Sequence, residues 1–219
     1  PNAQRAMVKI APGIDIKHFI PTDATALRQS LGVSERKVIV SVGRLVHRKG
    51  QDHLIQAMPE ILKSVPSAHL LLVGEGPYRE HLQNLVKQHG LETPVTFIGR
   101  IQYNDLPMYI CAGDIFVMPC RSRLMGLEVE GLGIVYLEAS ACGLPVLAGN
   151  SGGAPDAVVQ NKTGLVVDGT DQKQIATAAI ELLTNVESSQ KMGIAGRQWI
   201  IDNWRWEIWS KDFENLLNK

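Results

Sequence analysis

Short apolar runs alternate along this chain with longer segments in which apolar residues recur at helical spacing. Short runs rich in β-branched residues are typical of buried strands, whereas apolar positions three and four residues apart predict amphipathic helices. The predicted strands cover residues 37–42, 69–73, 95–98, 114–118, 144–148 and 164–167, and residues 8–15 predict a further short strand that runs into a Pro-Gly turn. The predicted helices cover residues 23–31, 51–64, 78–88, 104–111, 134–142, 171–183, 188–204 and 207–217. This alternation predicts an α/β fold with a mostly parallel sheet and helices on both faces.

The composition is that of an ordinary globular protein, with 45% hydrophobic and 20% charged residues. Lysine and arginine total 22, and aspartate and glutamate also total 22. A nonspecific polyanion binder needs an excess of basic residues, so we expect no nucleic-acid partner. Three cysteines, Cys111, Cys120 and Cys142, lie in apolar segments without the paired spacing of metal ligands. We expect buried thiols of a reducing compartment rather than zinc ligands or disulfides.

No apolar run approaches the roughly 18 residues that a membrane-spanning helix needs, and no signal peptide is visible. The sequence therefore predicts no membrane span within these residues. The chain opens on Pro1 without an initiator methionine, and we expect a fragment or a processed chain whose upstream part is absent.

A candidate anion site lies where residues 128–145 run from a loop into a predicted helix. Gly131 and Gly133 favour a tight turn, and the free N–H groups at the helix start can bind an anion such as a diphosphate. Glu130 precedes the turn, and Glu138 lies about one turn into the helix. Ionised carboxylates accept hydrogen bonds and therefore suit sugar hydroxyls. Alternatively, Glu138 is an ordinary solvated or ion-paired helix residue.

The loop that follows the predicted strand at residues 37–42 is rich in cations. In open α/β sheets, ligands bind at the carboxyl ends of the strands, where this loop would lie. Arg44 can bind a phosphate through two N–H groups, and Lys49 can add a point charge. The alternative is a solvated basic loop, and we assign His47 and Arg48 to that alternative.

Residues 74–79 resemble a dinucleotide-binding fingerprint only superficially. Arg79 stands where the third glycine belongs, and Pro77 lacks an N–H donor. We therefore reject NAD binding.

Residues 119–129 form a long loop without predicted structure, and loops of this kind are usually functional or disordered. We favour a functional role because the loop leads directly into the segment with the two glutamates. Glu128 and Glu130 could in principle hold a cation, but no further ligands lie nearby in the sequence, so we expect no metal site.

Together, these segments resemble the donor-binding half of glycosyltransferase family 4, whose members have the two-domain GT-B fold. Each segment is weak evidence alone, and the resemblance rests on their order along nearly the whole chain. The matching segments are residues 10–15, 42–44, 49–50, 74–77, 99–100, 130–138, 143–146 and 152–153. The resemblance implies a Rossmann-like parallel sheet and a retaining, metal-independent transfer of a sugar from a nucleotide-diphosphate donor.

Within the family, residues 126–138 are similar to those of actinobacterial mannosyltransferases that act on phosphatidylinositol mannosides. This likeness implies GDP-mannose as the donor substrate and no cofactor. Arg44, Lys49 and Glu130 would be the catalytic residues: the two cations would bind the diphosphate and stabilise the leaving group, and the carboxylate would contact the sugar.

The remaining implied contacts surround the same donor. The N–H groups of residues 131–134 would contact sugar and phosphate, Glu138 would hold the ribose, and the base pocket would contain Arg100, Ile101 and Met125. The implied donor-binding set is Arg44, Lys49, Arg100, Ile101, Met125, Glu130, Gly131, Leu132, Gly133, Ile134 and Glu138.

The resemblance divides the chain into a nucleotide-sugar-binding domain, residues 1–200, and a C-terminal helix, residues 201–219, that packs toward an absent N-terminal domain. Four tryptophans lie close together between residues 199 and 209 and predict a packing surface: Trp199, Trp204, Trp206 and Trp209. The absent domain would hold a glycolipid acceptor, so this half should bind the donor weakly without turnover. The implied enzyme is cytoplasmic, with peripheral contact at the inner face of the plasma membrane.

Two other functions fit the same residues. One is a nucleotide-sugar epimerase or hydrolase of the same fold, which would convert the donor without an acceptor. The other is a nonenzymatic nucleotide-binding module, for which the tryptophan-rich C-terminus would serve as an assembly surface.

Overall fold

The computed structural model describes residues 10–218, and within that range six strands form a single parallel sheet. The strands are β1 (Lys37–Val42), β2 (Ala68–Val73), β3 (Val95–Gly99), β4 (Ile115–Met118), β5 (Val146–Gly149) and β6 (Gly164–Val167). Their order across the sheet is β3-β2-β1-β4-β5-β6. This is the strand order of a Rossmann fold, so the predicted fold class is confirmed.

Helices cover both faces of the sheet, as the pattern predicts. The helices are α1 (Thr25–Ser30), α2 (Gln51–Ser64), α3 (Arg79–Gln88), α4 (Leu106–Cys111), α5 (Ile134–Ala141), α6 (Gln172–Thr184), α7 (Val186–Asn203) and α8 (Trp206–Leu217). Buried residues of α2, α3 and α6 belong to the core on one face of the sheet, and those of α4 and α5 belong to the core on the other. Helix α7 contributes to both, with Met192 in the first core and Ile200 in the second.

The pleat of β1 shows why residues 38–40 of this strand are all apolar. Val38 and Val40 belong to one core, whereas Ile39 between them belongs to the opposite core. All three side chains are fully buried, because a central parallel strand is covered on both faces. A continuous β-branched run is therefore what this position in the sheet requires.

Most predicted elements are confirmed with small differences at their ends. The structure reproduces β1, α2 and β6 with the predicted bounds. Helix α1 begins two residues later than predicted, although Asp23 accepts hydrogen bonds from the backbone N–H and hydroxyl of Thr25 at this end. Helix α6 has the predicted cap, since the side chain of Asp171 accepts from two N–H groups of the first turn.

The prediction for residues 8–15 is a short strand running into a Pro-Gly turn; the strand is wrong for the part that the structure describes, and Val8 and Lys9 lie outside the described residues. Residues 10–13 have no regular structure, and Ile14 makes one isolated bridge to Arg205. Pro12 lacks the N–H group that a strand ladder needs at this position.

Three of the four C-terminal tryptophans pack together around one buried ring, whereas Trp206 is 54% exposed. Trp204 is buried, and its ring centroid lies 5.6 Å from that of Trp199 and 5.7 Å from that of Trp209. The backbone N–H of Ile14 donates to the carbonyl of Trp204, which ties this corner to the domain. Helix α7 ends at Asn203, so the predicted division at residue 200 falls inside a helix.

Two further findings concern membrane-spanning helices and the cysteines. In the described part of the chain, no helix is both long and apolar enough to cross a membrane. All three cysteines are free thiols; Cys120 and Cys142 are buried as predicted, but Cys111 is only half-buried. Its helix, α4, runs along the edge of the core, which leaves one side of Cys111 open to solvent.

Two glycines of α7 provide a test of how closely this helix packs against α5 and the turn that follows α5. An added Cβ at Gly193 would overlap the carbonyl oxygen of Gly143, whereas one at Gly196 would lie 3.5 Å from the Ser140 side chain, an ordinary contact. Gly193→Ala should lower the free energy of unfolding by about 1–3 kcal/mol through overpacking. Gly196→Ala is the matched control and should raise it by about 0.5–1 kcal/mol, because alanine favours helix.

Urea unfolding of the two variants measures both changes. Equal effects of the two substitutions would contradict the packing that the structure shows.

Candidate functional site

The sheet reverses its winding between β1 and β4, which are neighbours although two strands separate them in sequence. Helix α2, which follows β1, packs on one face, and α5, which follows β4, packs on the other. The two loops therefore diverge and open a crevice at the carboxyl ends of the strands. Two cavities lie here, a central cavity of about 460 Å³ and an adjoining cavity of about 590 Å³, and both are lined by Val42 and Gly43.

The central cavity collects most of the residues that the sequence singles out. They come from the loop after β1, from the loop before α5 and from α5 itself. The predicted residues that line it are Lys49, Glu130, Leu132, Gly133, Ile134 and Glu138. A cation, two carboxylates and a helix start thus surround one space. Gly131 lies beside it on an exposed turn.

A buried ion pair joins the two sides of the central cavity. Nζ of Lys49 lies 2.8 Å from Oε2 of Glu130, and their side chains are only 11% and 8% exposed. Nε of Arg48 lies 3.8 Å from the same oxygen, and another of its nitrogens lies 3.9 Å from the Glu128 carboxylate. The assignment of Arg48 to a solvated loop is therefore wrong, because two carboxylates lie within 4 Å of its side chain, which is 31% exposed.

The start of α5 is open to a ligand. Gly133 occupies the N-cap position with φ 73°, and no side chain caps the first turn. The Tyr136 ring lies directly behind, where any Cβ at Gly133 would overlap it. The hydroxyl of Tyr136 donates to the carbonyl of Met118 over 2.6 Å, so this ring fixes the turn to the end of β4. The N–H groups of an uncapped helix start attract anions.

A second loop supports Glu130 from behind, and sequence reasoning missed its main residue. The backbone N–H of Glu130 donates to the hydroxyl of Ser151, which is buried. The N–H of Gly153 donates to the carbonyls of Glu130 and Gly131, both over 3.0 Å. Only the glycine pair at 152–153 signalled this support, because a lone serine carries no recognisable pattern.

Glu138 is half-buried and faces the central cavity. Burial raises the pKa of its carboxyl to about 7. The side chain is therefore not the freely solvated helix residue of the alternative interpretation. Near neutral pH it exists in both protonation states, and ligand hydroxyls that donate to it would favour the ionised one.

The adjoining cavity is lined by the remaining predicted cationic side chains, those of Arg44 and Arg100. Arg44, Arg100 and Ile101 line it, together with the exposed ring of Tyr103. Arg44 is exposed, so its side chain can turn toward a ligand in the crevice. Three of the predicted residues thus lie next to the central cavity rather than within it.

Met125 lines neither of the two cavities, whereas Arg100 and Ile101 line the adjoining one, so its contact with a nucleotide base stays a prediction. Its side chain is fully exposed at the tip of a short hairpin. Backbone hydrogen bonds in both directions and a 2.7 Å ion pair join Arg123 to Glu128 at the base of this hairpin. That closure directs the tip away from the sheet.

A buried charged pair behind the cation loop also escaped sequence reasoning. The guanidinium of Arg121 contacts both carboxylate oxygens of Asp52, at 2.6 Å and 2.7 Å, and both side chains are more than nine-tenths buried. The same guanidinium reaches the imidazole of His47. No signal marks this contact in the sequence, because its partners lie 69 positions apart.

Among the described residues, no three His, Cys, Asp or Glu side chains are grouped so that they could share a metal ion. The positive charge that the structure presents at the crevice comes from Arg44, Arg48, Lys49 and Arg100. These side chains, the helix start and the two carboxylates suit a ligand with an anionic centre and hydroxyl-bearing ends.

The chain belongs to the glycosyl transferases group 1 family, whose sequence profile matches residues 23–199. The resemblance drawn from the sequence motifs is thereby confirmed. This family places the crevice in a class of proteins that transfer sugars.

One relative is the GDP-mannose-dependent alpha-(1-6)-phosphatidylinositol monomannoside mannosyltransferase of Mycolicibacterium smegmatis. It is 48% identical over 215 residues, which cover 97% of this chain and 56% of the relative. The chain thus spans about half the length of this relative.

Two solved structures are similar. That of the Anabaena protein HepE in complex with UDP-glucose has a TM-score of 0.85 and 25% identity, covering 95% of this chain and 56% of that one. The C-terminal domain of a glycosyl transferase group 1 family protein from Francisella tularensis has a TM-score of 0.77 and 26% identity, covering 89% of this chain and 100% of that one. A domain of this kind was therefore crystallised alone.

The raised pKa of Glu138 predicts how stability depends on pH. The folded protein keeps this proton up to about pH 7, whereas the unfolded chain loses it near pH 4.5, so stability falls as pH rises between these values. Between pH 5 and pH 8, wild type should lose on the order of 2–3 kcal/mol relative to Glu138→Gln.

Urea unfolding at several pH values measures this difference. Other titrating groups cancel in the subtraction because both proteins contain them. Glu187→Gln is the matched control, since the Glu187 side chain is 83% exposed. Parallel pH profiles for wild type and Glu138→Gln would contradict the burial of this carboxyl.

Proposed function

We propose that this chain is the donor-binding half of a retaining mannosyltransferase that uses GDP-mannose and a glycolipid acceptor of the phosphatidylinositol mannoside type. The observation that carries the proposal is the Lys49–Glu130 pair at the uncapped start of α5. The name of the 48% identical relative supports the choice of sugar, nucleotide and acceptor.

In this proposal the diphosphate lies between the start of α5 and the cations of the loop after β1. The helix N–H groups and Lys49 bind one side of the anion, and Arg44 swings in from the adjoining cavity. The diphosphate also competes with Glu130 for Lys49. Its arrival therefore frees an oxygen of Glu130 to accept a hydrogen bond from the sugar.

The other ends of the donor follow from this position. Glu138 accepts hydrogen bonds from the ribose hydroxyls in its ionised form. The base occupies the adjoining cavity, where Arg100 and Ile101 form part of the wall. Sugar, diphosphate, ribose and base then lie in sequence along the crevice.

The proposed chemistry needs charge stabilisation at the leaving diphosphate. Lys49 and Arg44 supply this charge, so the proposal includes neither a metal ion nor a cofactor. Cations that are already in place stabilise developing negative charge without reorganisation during the reaction.

The acceptor site lies outside this chain in the proposal, because the chain corresponds to only 56% of its relative. An N-terminal domain would pack against α8, in which no residue is buried. Trp206 and Leu217 of this helix are 54% and 69% exposed. The membrane contact that a lipid acceptor requires would also belong to that domain.

A UDP-sugar donor is the second candidate, because the Anabaena neighbour was solved with UDP-glucose. Calorimetry with GDP and UDP in parallel decides between the two nucleotides. Tighter binding of UDP would replace GDP-mannose in the proposal without changing the roles of the cations.

Arg44→Ala tests the assigned phosphate contact. It should weaken GDP binding by about 10- to 150-fold, the equivalent of about 1.5–3 kcal/mol for a lost charge-assisted hydrogen bond. Folding should be unaffected, because Arg44 is exposed. Lys63→Ala is the control, since it removes an exposed cation that pairs with Glu60 on the surface of α2. If both variants bind GDP like wild type, Arg44 has no role at the phosphate.

A chimera tests the activity. This chain replaces the matching segment of the Mycolicibacterium smegmatis relative, and we expect transfer from GDP-mannose to the monomannoside acceptor with retained anomeric configuration. Lys49→Ala in the chimera should lower the rate by on the order of 10²–10³, as when one stabilising donor is removed from an active site.

Incubation of the chimera with GDP-mannose and no acceptor tests whether the protein is an epimerase or hydrolase instead of a transferase. Rapid acceptor-free conversion would support an epimerase or hydrolase instead. A chimera that binds GDP-mannose and catalyses neither reaction would support the nonenzymatic nucleotide-binding module.

A further inference from the structure

We propose that Arg121 is a positioning residue that acts through Lys49, by holding the cation loop in the geometry that binds the donor diphosphate. This inference rests on the proposed function. It concerns the buried Arg121–Asp52 pair, which touches neither of the two cavities.

The Arg121–Asp52 pair forms a buried support beneath the cation loop. Arg121 follows β4, and Asp52 lies in the first turn of α2, so their contact connects the two diverging loops of the crevice. Burial alone would raise the pKa of Asp52, but the hydrogen bonds and charge of Arg121 lower it below its usual value. Both groups are therefore charged, and each requires the other as its partner.

Two hydrogen bonds of Arg121 and one ring contact of Tyr78 connect this support to the residues before Lys49. The guanidinium of Arg121 donates to Nδ1 of His47, and its backbone N–H donates to the carbonyl of Arg48 over 2.9 Å. The hydroxyl of Tyr78 donates to Asp52 over 3.1 Å, and the Tyr78 ring lies 5.1 Å from the His47 ring. Residues 47 and 48 are thus fixed from both sides.

The loop is also fixed immediately after Lys49. An added Cβ at Gly50 would overlap the carbonyl oxygen of Pro119, so the two loops touch backbone to backbone at this point. With its neighbours held in this way, Nζ of Lys49 lies 2.8 Å from Oε2 of Glu130. A shift of the Arg121–Asp52 pair should therefore move Nζ of Lys49 relative to the start of α5.

His47 takes part in its neutral form. Burial and then the positive charges of Arg121 and Arg123 lower the pKa of its imidazole, while Asp52 opposes this shift. A neutral imidazole can accept the hydrogen bond that Arg121 donates. Lysine at position 121 would keep the charge but lose the planar fork that reaches Asp52 and His47 together.

A double-mutant cycle separates positioning from mere structural support. GDP affinity is measured by calorimetry for wild type, Arg121→Lys, Lys49→Ala and the variant with both changes. We expect Arg121→Lys to weaken GDP binding about tenfold in wild type, the scale of coupling within one hydrogen-bond network. In the Lys49→Ala background the same change should have no further effect.

Two variants complete the design. Arg28→Lys is the matched control, because Arg28 pairs with Asp114 just before β4, at the opposite end of the strand from the crevice, and it should leave GDP affinity unchanged. Asp52→Asn alters the other partner of the Arg121–Asp52 pair and replaces Arg121→Lys if that variant fails to fold. Asparagine keeps the shape of the aspartate side chain and one of its two acceptor oxygens. Urea unfolding confirms that each variant is folded.

The outcomes are distinct. Equal weakening by Arg121→Lys in both backgrounds, or none in wild type, would overturn the positioning role while leaving the proposed function intact. Wild type that binds no GDP, or a Lys49→Ala variant that binds it normally, would overturn the proposed function and this inference with it.

Discussion

The crevice depends on one electrostatic constraint, the burial of opposite charges where two loops of the sheet diverge. A buried cation without a partner is costly, so Lys49 and Glu130 hold each other in place when no ligand is present. Ser151 and the N–H of Gly153 fix the acidic side of this pair. A ligand that replaces one of these charges takes over an interaction that the fold has already organised.

The sheet makes this arrangement possible because of its strand order. In the order β3-β2-β1-β4-β5-β6, the chain leaves β1 toward one face and β4 toward the other. The separation leaves room for two adjoining cavities, which together suit an elongated ligand. Apolar strands buried on both sides keep this frame rigid, so that only the loops vary in chemistry.

Local signals in the sequence predicted the fold and much of the candidate site. The β-branched run of β1 and the glycine turn before α5 each act within a few residues, and the structure contains both as predicted. Arg121 and Asp52 could not be predicted, because their contact exists only once β4 and α2 lie side by side. The exposed position of Met125 has a similar cause, since it depends on the ion pair between Arg123 and Glu128 that closes the hairpin. The partner of Arg48 was missed for the same reason.

The all-parallel sheet has a consequence for how the chain reaches its native state. Parallel neighbours cannot form from a tight hairpin, so each strand pair must wait for an intervening crossover. The central pair is the extreme case, because Ile39 in β1 meets Ile115 in β4 only after two complete strand–helix units have been added. Such a topology folds slowly and exposes apolar strand edges on the way. During synthesis, β1 therefore remains without its second neighbour until β4 has left the ribosome.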